Sequence, residues 1–155
     1  MKLVIQRVSQ AEVRVAGRGV GRIGRGLLVL LGAEKGDGEA AADEAARRVA
    51  GLRVFNDEND RMNLDLAAVG GSVLVVSQFT LGADLSRGRR PGFERALAGE
   101  DARPLYERFV RALSEHGVPV ETGEFGAMME VSLVNDGPAT FILEVGSGLH
   151  ESAAR

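Results

Sequence analysis

Asn135-Asp136-Gly137-Pro138-Ala139-Thr140 separates two alternating apolar stretches. Met129-Glu130-Val131-Ser132-Leu133-Val134 lies before it and Phe141-Ile142-Leu143 after it. Period-two alternation bounded by turn residues predicts strand, tight turn, strand. The turn has an unusual composition. Proline cannot donate to a β-ladder, and the glycine before it reaches backbone angles closed to other residues. An X-Pro bond is also the one place where a cis peptide is cheap. Taken alone, the Gly-Pro pair reads as a hairpin corner.

Strand signals extend outward to both ends of the chain. Leu3-Val4-Ile5-Gln6-Arg7-Val8 and Glu12-Val13-Arg14-Val15 predict two strands, and Val20 to Ile23 a short return strand. Leu27 to Leu31 and Val73 to Val76 are continuous apolar runs, the pattern of strands buried on both faces. Val118 to Glu121, Phe125 to Val134 and Ala139 to Glu144 complete the strand set. Helical spacing falls in the middle. Asp37 is a candidate N-cap for a helix carrying Ala42, Ala45, Ala46 and Val49. Pro91 could open a short helix through Leu97. The clearest helix starts near Asp101 and shows Leu105, Phe109, Val110 and Leu113, with Gly117 and Pro119 ending it. These elements predict an α/β fold. It is a single domain over residues 1–145, with a mixed, strongly curved, barrel-like sheet, helices packed on one face, and a disordered tail over 146–155.

Two local patterns imitate known sites. Gly19-Val20-Gly21-Arg22-Ile23-Gly24 matches the dinucleotide fingerprint, but a strand follows it where that motif needs a helix. Asn56 to Asp60 resembles the start of a calcium loop, but Arg61 stands at the glycine position and no glutamate stands at the twelfth.

Composition narrows the function further. The chain has 155 residues, 45% hydrophobic and 26% charged, as expected of a soluble globular protein. It has no cysteine, which excludes disulfides, thiolate metal sites and a cysteine nucleophile. No apolar run reaches membrane-spanning length, and no signal-peptide pattern opens the chain, so a cytoplasmic location is expected. The net charge of −3 offers nucleic acid no global attraction, so any RNA contact needs a local basic patch. Arg87, Arg89, Arg90 and Arg95, in and beside a glycine-containing loop, form that patch.

Ser77-Gln78-Phe79-Thr80 ends the second buried strand, a common position for a site. Its hydroxyls could be nucleophiles and its backbone N–H groups an oxyanion pocket. No base accompanies it in sequence. The two histidines are His116, at a helix end, and His150, in the tail. No ligand cluster for a metal is present, and no cofactor is expected. Three readings therefore stand on the residues alone: a triad-less esterase with Thr80 as nucleophile, a non-catalytic RNA-binding module, and a structural dimer.

Taken together and in order, these motifs resemble the D-aminoacyl-tRNA deacylases, also called D-tyrosyl-tRNA deacylases. The resemblance rests on Gln6-Arg7-Val8, the 26–32 run, Met62-Asn63-Leu64 and Ser77-Gln78-Phe79-Thr80-Leu81. It also rests on Arg89-Arg90-Pro91 with Phe93, Phe125-Gly126-Ala127-Met128-Met129, and Asn135-Asp136-Gly137-Pro138 with Thr140. Ala139, Gly92 and Leu85-Ser86 depart from the family's usual valine, serine and threonine-arginine. The resemblance implies a homodimeric editing hydrolase that cuts the ester of D-aminoacyl-tRNA, and of glycyl-tRNA mischarged on tRNA(Ala). Ser77, Gln78, Phe79 and Thr80 would carry catalysis, largely through main-chain atoms. A cis Gly137-Pro138 peptide would reach into the partner's site and exclude L side chains. Arg7 would hold it in place, and Met129 and Asn135 would take part in substrate binding. Arg87, Arg89 and Arg90 would meet tRNA. The implied partner is the 3′ end of D-aminoacyl-tRNA, with no membrane or DNA role.

Overall fold

The computed structural model describes residues 1–97 and 99–146. The expected tail lies outside the described residues, apart from Gly146. Eight strands and three helices follow one another as β1 (Lys2–Val15), β2 (Arg18–Ile23), β3 (Gly26–Gly32), α1 (Glu39–Ala50), β4 (Phe55–Asn56), β5 (Met62–Leu64), α2 (Leu66–Val69), β6 (Ser72–Ser77), α3 (Arg103–Glu115), β7 (Val120–Thr122) and β8 (Glu130–Glu144). β2, β1, β3, β6 and β7 form one sheet in that order, and β8 pairs the other edge of β1. The ladders β3–β6 and β6–β7 are parallel, whereas β1 is antiparallel to all of its partners. β4 and β5 make a separate two-stranded ribbon.

The sheet curls until β2 meets β7. A Cβ added at Gly21 would lie 2.2 Å from the Thr122 carbonyl oxygen. The middle glycine of the false dinucleotide fingerprint therefore closes the barrel seam by having no side chain.

The two apolar runs are buried on both faces, as their composition predicts. Leu27, Val29, Leu31, Val73 and Val75 pack against Ala42, Ala45, Ala46 and Val49 of α1 and Leu105, Phe109 and Leu113 of α3. Leu28, Leu74 and Val76 face a second, smaller core with Val8, Ala11, Val13 and Ile23. β1 serves both cores. Leu3 and Ile5 belong to the helix-side core, and Ala11 and Val13, of the same parity, to the other. The switch occurs where Val8 pairs Asn135 and Gln10 pairs Val134, leaving Ser9 without an opposite residue. A one-residue slip sends every later side chain to the other face.

Several local expectations are corrected. The two N-terminal strands are one continuous strand, bent by that bulge. The N-cap of α1 is Gly38. The Asp37 carboxylate instead accepts from the Glu34 N–H at 2.8 Å and lies 2.6 Å from the Met1 α-amino group. Pro91 opens no helix. The segment is a loop closed by an Asp84–Gly92 bridge. The C-terminal pair of strands is a single strand, β8, which begins at Glu130 rather than Phe125, and residues 135–140 are not a hairpin corner. α3 ends as its sequence predicts. Gly117 is left-handed at φ +81, and the Val118 N–H bonds the Leu113 carbonyl.

Gly21→Ala is expected to destabilise the fold by about 1–3 kcal/mol, the usual cost of overpacking. Urea denaturation checks it, and an unchanged midpoint would show that the seam is loose.

Candidate active site

β3, β6 and β7 run parallel, and their carboxyl ends point the same way. A crevice at the carboxyl ends of parallel strands is a recurrent ligand site. Here it is a cavity of ≈ 460 Å³. Leu31 and Val76 form its floor, Ser77, Gln78 and Phe79 one wall, Ala102 and Tyr106 of α3 a second, and residues 125–129 a third. After Ser77 the chain turns into a short 3-10 segment, Phe79–Gly82. The Gln78 N–H is used by the Leu31 carbonyl at 2.8 Å. The Phe79 and Thr80 N–H groups open the turn and have no hydrogen-bond partner among the described residues. The Gln78 side-chain amide donates to the Thr80 hydroxyl oxygen. His116 caps the C-terminus of α3 and does not line the cavity. His150 lies outside the described residues.

Tyr106 is the one titratable side chain on the cavity wall among the described residues. Burial pushes its hydroxyl up to about 12. It donates to the Val75 carbonyl at 3.1 Å. At neutral pH it keeps its proton, so it is no base. The cavity offers amide hydrogens and apolar surface, without a carboxylate or imidazole.

The Gly-Pro motif lies elsewhere in the chain's own architecture. Gln6 pairs Thr140 and Val8 pairs Asn135, so Arg7 alone faces residues 136–139, which bulge outward. The Gly137–Pro138 peptide is cis, and Gly137 sits at φ +148. A Cβ there would lie 2.8 Å from the Ala139 nitrogen and 3.1 Å from Arg7 Nη2, so only glycine fits. Asn135 closes the bulge at its base. Its Oδ1 accepts from the Ala139 N–H at 2.7 Å, and its Nδ2 donates to the Thr140 hydroxyl oxygen at 3.1 Å. Arg7 props the bulge from behind. Its Nε donates to the Asp136 carbonyl at 2.8 Å, and its Nη1 to the Val54 carbonyl at 2.7 Å and to Asn56 Oδ1 at 3.1 Å.

The structure thus brings Ser77, Gln78, Phe79 and Met129 together around the cavity, with Thr80 bonded to Gln78. It gathers Arg7, Asn135, Gly137 and Pro138 into a separate bulge that does not line this cavity. Arg87, Arg89 and Arg90 are exposed on the loop between Asp84 and Gly92. Sequence reasoning missed Tyr106, whose spacing from Ala102 and Phe109 puts it on the buried face of α3. It also missed Val54 and Asn56, whose role comes from long-range contact and leaves no sequence signal.

Fold and cavity define a single-domain α/β barrel with a largely apolar cavity at the carboxyl ends of its parallel strands. A model of the D-Tyr-tRNA(Tyr) deacylase family matches residues 4–144. The chain is 56% identical over 144 residues to the D-aminoacyl-tRNA deacylase of Symbiobacterium thermophilum, covering 93% of this chain and 95% of that one. It is 58% identical to that of Paracoccus denitrificans, covering 93% and 97%. A solved structure titled c-Myc DNA Unwinding Element Binding Protein superposes with TM-score 0.86 at 37% identity, over 93% of this chain and 98% of that one. One titled as a probable eukaryotic D-amino acid tRNA deacylase shares the fold, with TM-score 0.81 at 19% identity over 92% and 97%. The chain belongs to the D-Tyr-tRNA(Tyr) deacylase family. Among the described residues no helix is long and apolar enough to cross a membrane.

Tyr106 gives a stability test with a definite sign. Its pKa is higher folded than unfolded, where about 10 is usual, so folding favours the protonated form. That stability is complete below about pH 10 and is lost as pH rises toward 12. The two-unit shift corresponds to about 2–3 kcal/mol. Tyr106→Phe is expected to be about 0.5–1.5 kcal/mol less stable at pH 9 through the lost hydrogen bond. The gap should close or reverse by pH 12. Urea titrations of both proteins across that range check it, and parallel curves would contradict it.

Proposed function

We propose that this protein hydrolyses the ester linking a D-amino acid to the terminal ribose of tRNA. It would act as a cytoplasmic homodimer in which Gly137-Pro138 of each copy enters the cavity of the other. Family membership supports the reaction class. One observation carries the assembly: the cavity and the Gly-Pro bulge are both formed in one chain, yet the bulge does not line its own chain's cavity. A second copy would join the two halves.

In this reading the cavity receives the terminal aminoacyl-adenosine, and its ≈ 460 Å³ suits a ligand of that size. A water oxygen attacks the ester carbonyl carbon. The bond from that carbon to the ribose oxygen then breaks, and the ribose oxygen takes a proton. Negative charge that builds on the carbonyl oxygen is met by the N–H groups of Phe79 and Thr80. The absence of a side-chain base on the cavity wall is consistent with the tRNA's own 2′-OH assisting the water. The carbonyl oxygens of the Gly-Pro bulge would bind the substrate's α-amino group, with Met129 beside it. Arg7 and Asn135 would hold that backbone still. Arg87, Arg89 and Arg90 would meet the phosphates of the acceptor end.

Thr80 fits poorly as a covalent nucleophile. Its oxygen accepts from Gln78, and no base touches it among the described residues. Thr80→Ala is therefore expected to retain substantial activity. Removing a true nucleophile costs on the order of a millionfold. A drop beyond about a thousandfold with the fold intact would favour the esterase reading.

Selectivity in this reading comes from exclusion. A rigid backbone wall can reject an L side chain by more than the ~1–3 kcal/mol that one methylene earns in a pocket. D side chains point away from the wall, and glycine has nothing to exclude. Deacylation of D-Tyr-tRNA, L-Tyr-tRNA and Gly-tRNA is the measurement. The first and third should be cleaved and the second spared. If Gly-tRNA is spared as completely as L-Tyr-tRNA at high enzyme, exclusion is the wrong mechanism.

A further inference from the structure

Phe79 and Phe93 are large aromatic side chains left in water. They are 51% and 38% exposed. Their ring centroids stand 5.2 Å apart at an interplanar angle of 53°. Neither belongs to the two cores. Phe79 forms the rim of the cavity, and Phe93 leans on it from outside, since Phe93 does not line the cavity.

Phe93 also ends the arginine loop. That loop is pinned at its base, where the Asp84 and Gly92 backbones exchange hydrogen bonds of 2.7 and 2.9 Å. The Asp84 carboxylate accepts from the Ser86 N–H at 2.9 Å and stiffens the first turn. Arg87, Arg89 and Arg90 are exposed, and none has a carboxylate within ion-pair distance among the described residues. Arg47, Arg103 and Arg108, by contrast, are each paired to a neighbouring acid.

An exposed aromatic pair beside unpaired arginines is the combination that binds single-stranded nucleic acid. The rings take base faces without reading sequence, and the guanidiniums follow the phosphates. We propose that Phe79 and Phe93 form a stacking platform for the unpaired nucleotide preceding the terminal adenosine of the tRNA acceptor end. This rests on the deacylase reading. The cavity takes the adenosine and its ester, so the next nucleotide must leave across the rim. Phe79 stands at that rim, and the arginine loop continues from it. Charge complementarity and continuity with the cavity select RNA over an apolar partner surface.

Phe93 separates this role from catalysis. The test compares wild type with Phe93→Ala, Phe93→Leu and Phe93→Tyr on two substrates, D-Tyr-tRNA and adenosine carrying the same D-tyrosyl ester. Phe93→Ala and Phe93→Leu should lose about 10- to 100-fold in kcat/KM on the tRNA, mainly through KM, as base–aromatic stacks of ~1–3 kcal/mol imply. Phe93→Tyr should stay within about threefold of wild type. All three should cleave the adenosine ester within about threefold of wild type. Equal losses on both substrates would make Phe93 structural and overturn the proposal. So would a fully active Phe93→Leu, where apolar bulk alone suffices. Conversion of Phe93→Ala to a monomer in light scattering would assign the platform to a second copy instead. Anisotropy with a short oligoribonucleotide ending in cytidine-cytidine-adenosine tests the platform without catalysis, and Phe93→Ala should weaken it by a similar factor. If wild type cleaves neither substrate, the deacylase reading fails. The oligonucleotide then decides the platform alone, and equal binding by both proteins overturns it.

Discussion

The guanidinium of Arg7 ties together parts of the chain that share no sequence proximity. The Arg7 side chain is buried, with the residue 7% exposed. Burying a charge is costly unless its donors are satisfied. Nε and Nη1 of Arg7 donate to carbonyl and amide oxygens from two directions: Val54 and Asn56 at the ribbon β4–β5, and Asp136 at the bulge of β8. The Asp136 carboxylate adds little, lying 3.8 Å from Nε and half exposed. The bond that matters is to the Asp136 main chain, because it fixes where the following Gly137-Pro138 backbone stands. Position 7 therefore couples the N-terminal strand, the ribbon and the projecting motif. Shortening that side chain would leave three oxygens without their donor and the bulge without its support.

The fold was largely legible because its signals are local. The buried runs 27–31 and 73–76, the α3 stripe and the Gly117 terminator each state their structure within a few residues. The failures share a cause. Residues 135–140 carry every local mark of a turn, yet β1 runs alongside on both sides of them and converts a corner into a bulge. Asp37 has the right side chain for a cap, but a competing charge, the Met1 α-amino group, takes its carboxylate. Pro91 could begin a helix, but the backbone exchange between Asp84 and Gly92 holds a loop. In each case a long-range partner overrode a correct local preference. The strand-end residues Ser77 to Thr80 could be found because a polar stretch after an apolar run is itself a local pattern. Asn56 could not, since nothing near it in sequence points to Arg7.

The cavity shows what parallel strands supply without ionisable side chains. β3 and β6 end side by side, and the chain leaves β6 through a tight turn that uncovers successive N–H groups. Those donors need no protonation state and cost no rearrangement when charge appears. A site of this kind tolerates much side-chain change and little backbone change. The glycines bear this out. A Cβ at Gly32 would press to 2.8 Å from the Gln78 carbonyl, and at Gly26 to 1.8 Å from the Ser72 carbonyl. The close approach of β3 to β6 positions the turn that follows Ser77, and glycine permits that approach.

The same reasoning explains why a selective wall would be built from backbone and placed on a bulge. A side-chain wall can swing to another rotamer and admit the wrong enantiomer, whereas a main-chain wall moves only if its strand moves. Here the strand cannot easily move. β8 is paired to β1 on both sides of the motif, Asn135 bridges the base of the bulge, and Arg7 fills the space behind it. Ala139 is 5% exposed and lies close against Gly137. A wall so fixed within one chain is rigid only toward whatever approaches its outer face, and that face is the exposed Gly137 and Pro138. In the reading proposed above, Gly137-Pro138 would act as a specificity device by entering the cavity of a second copy, and the bracing by Arg7 and Asn135 would keep that backbone in place there.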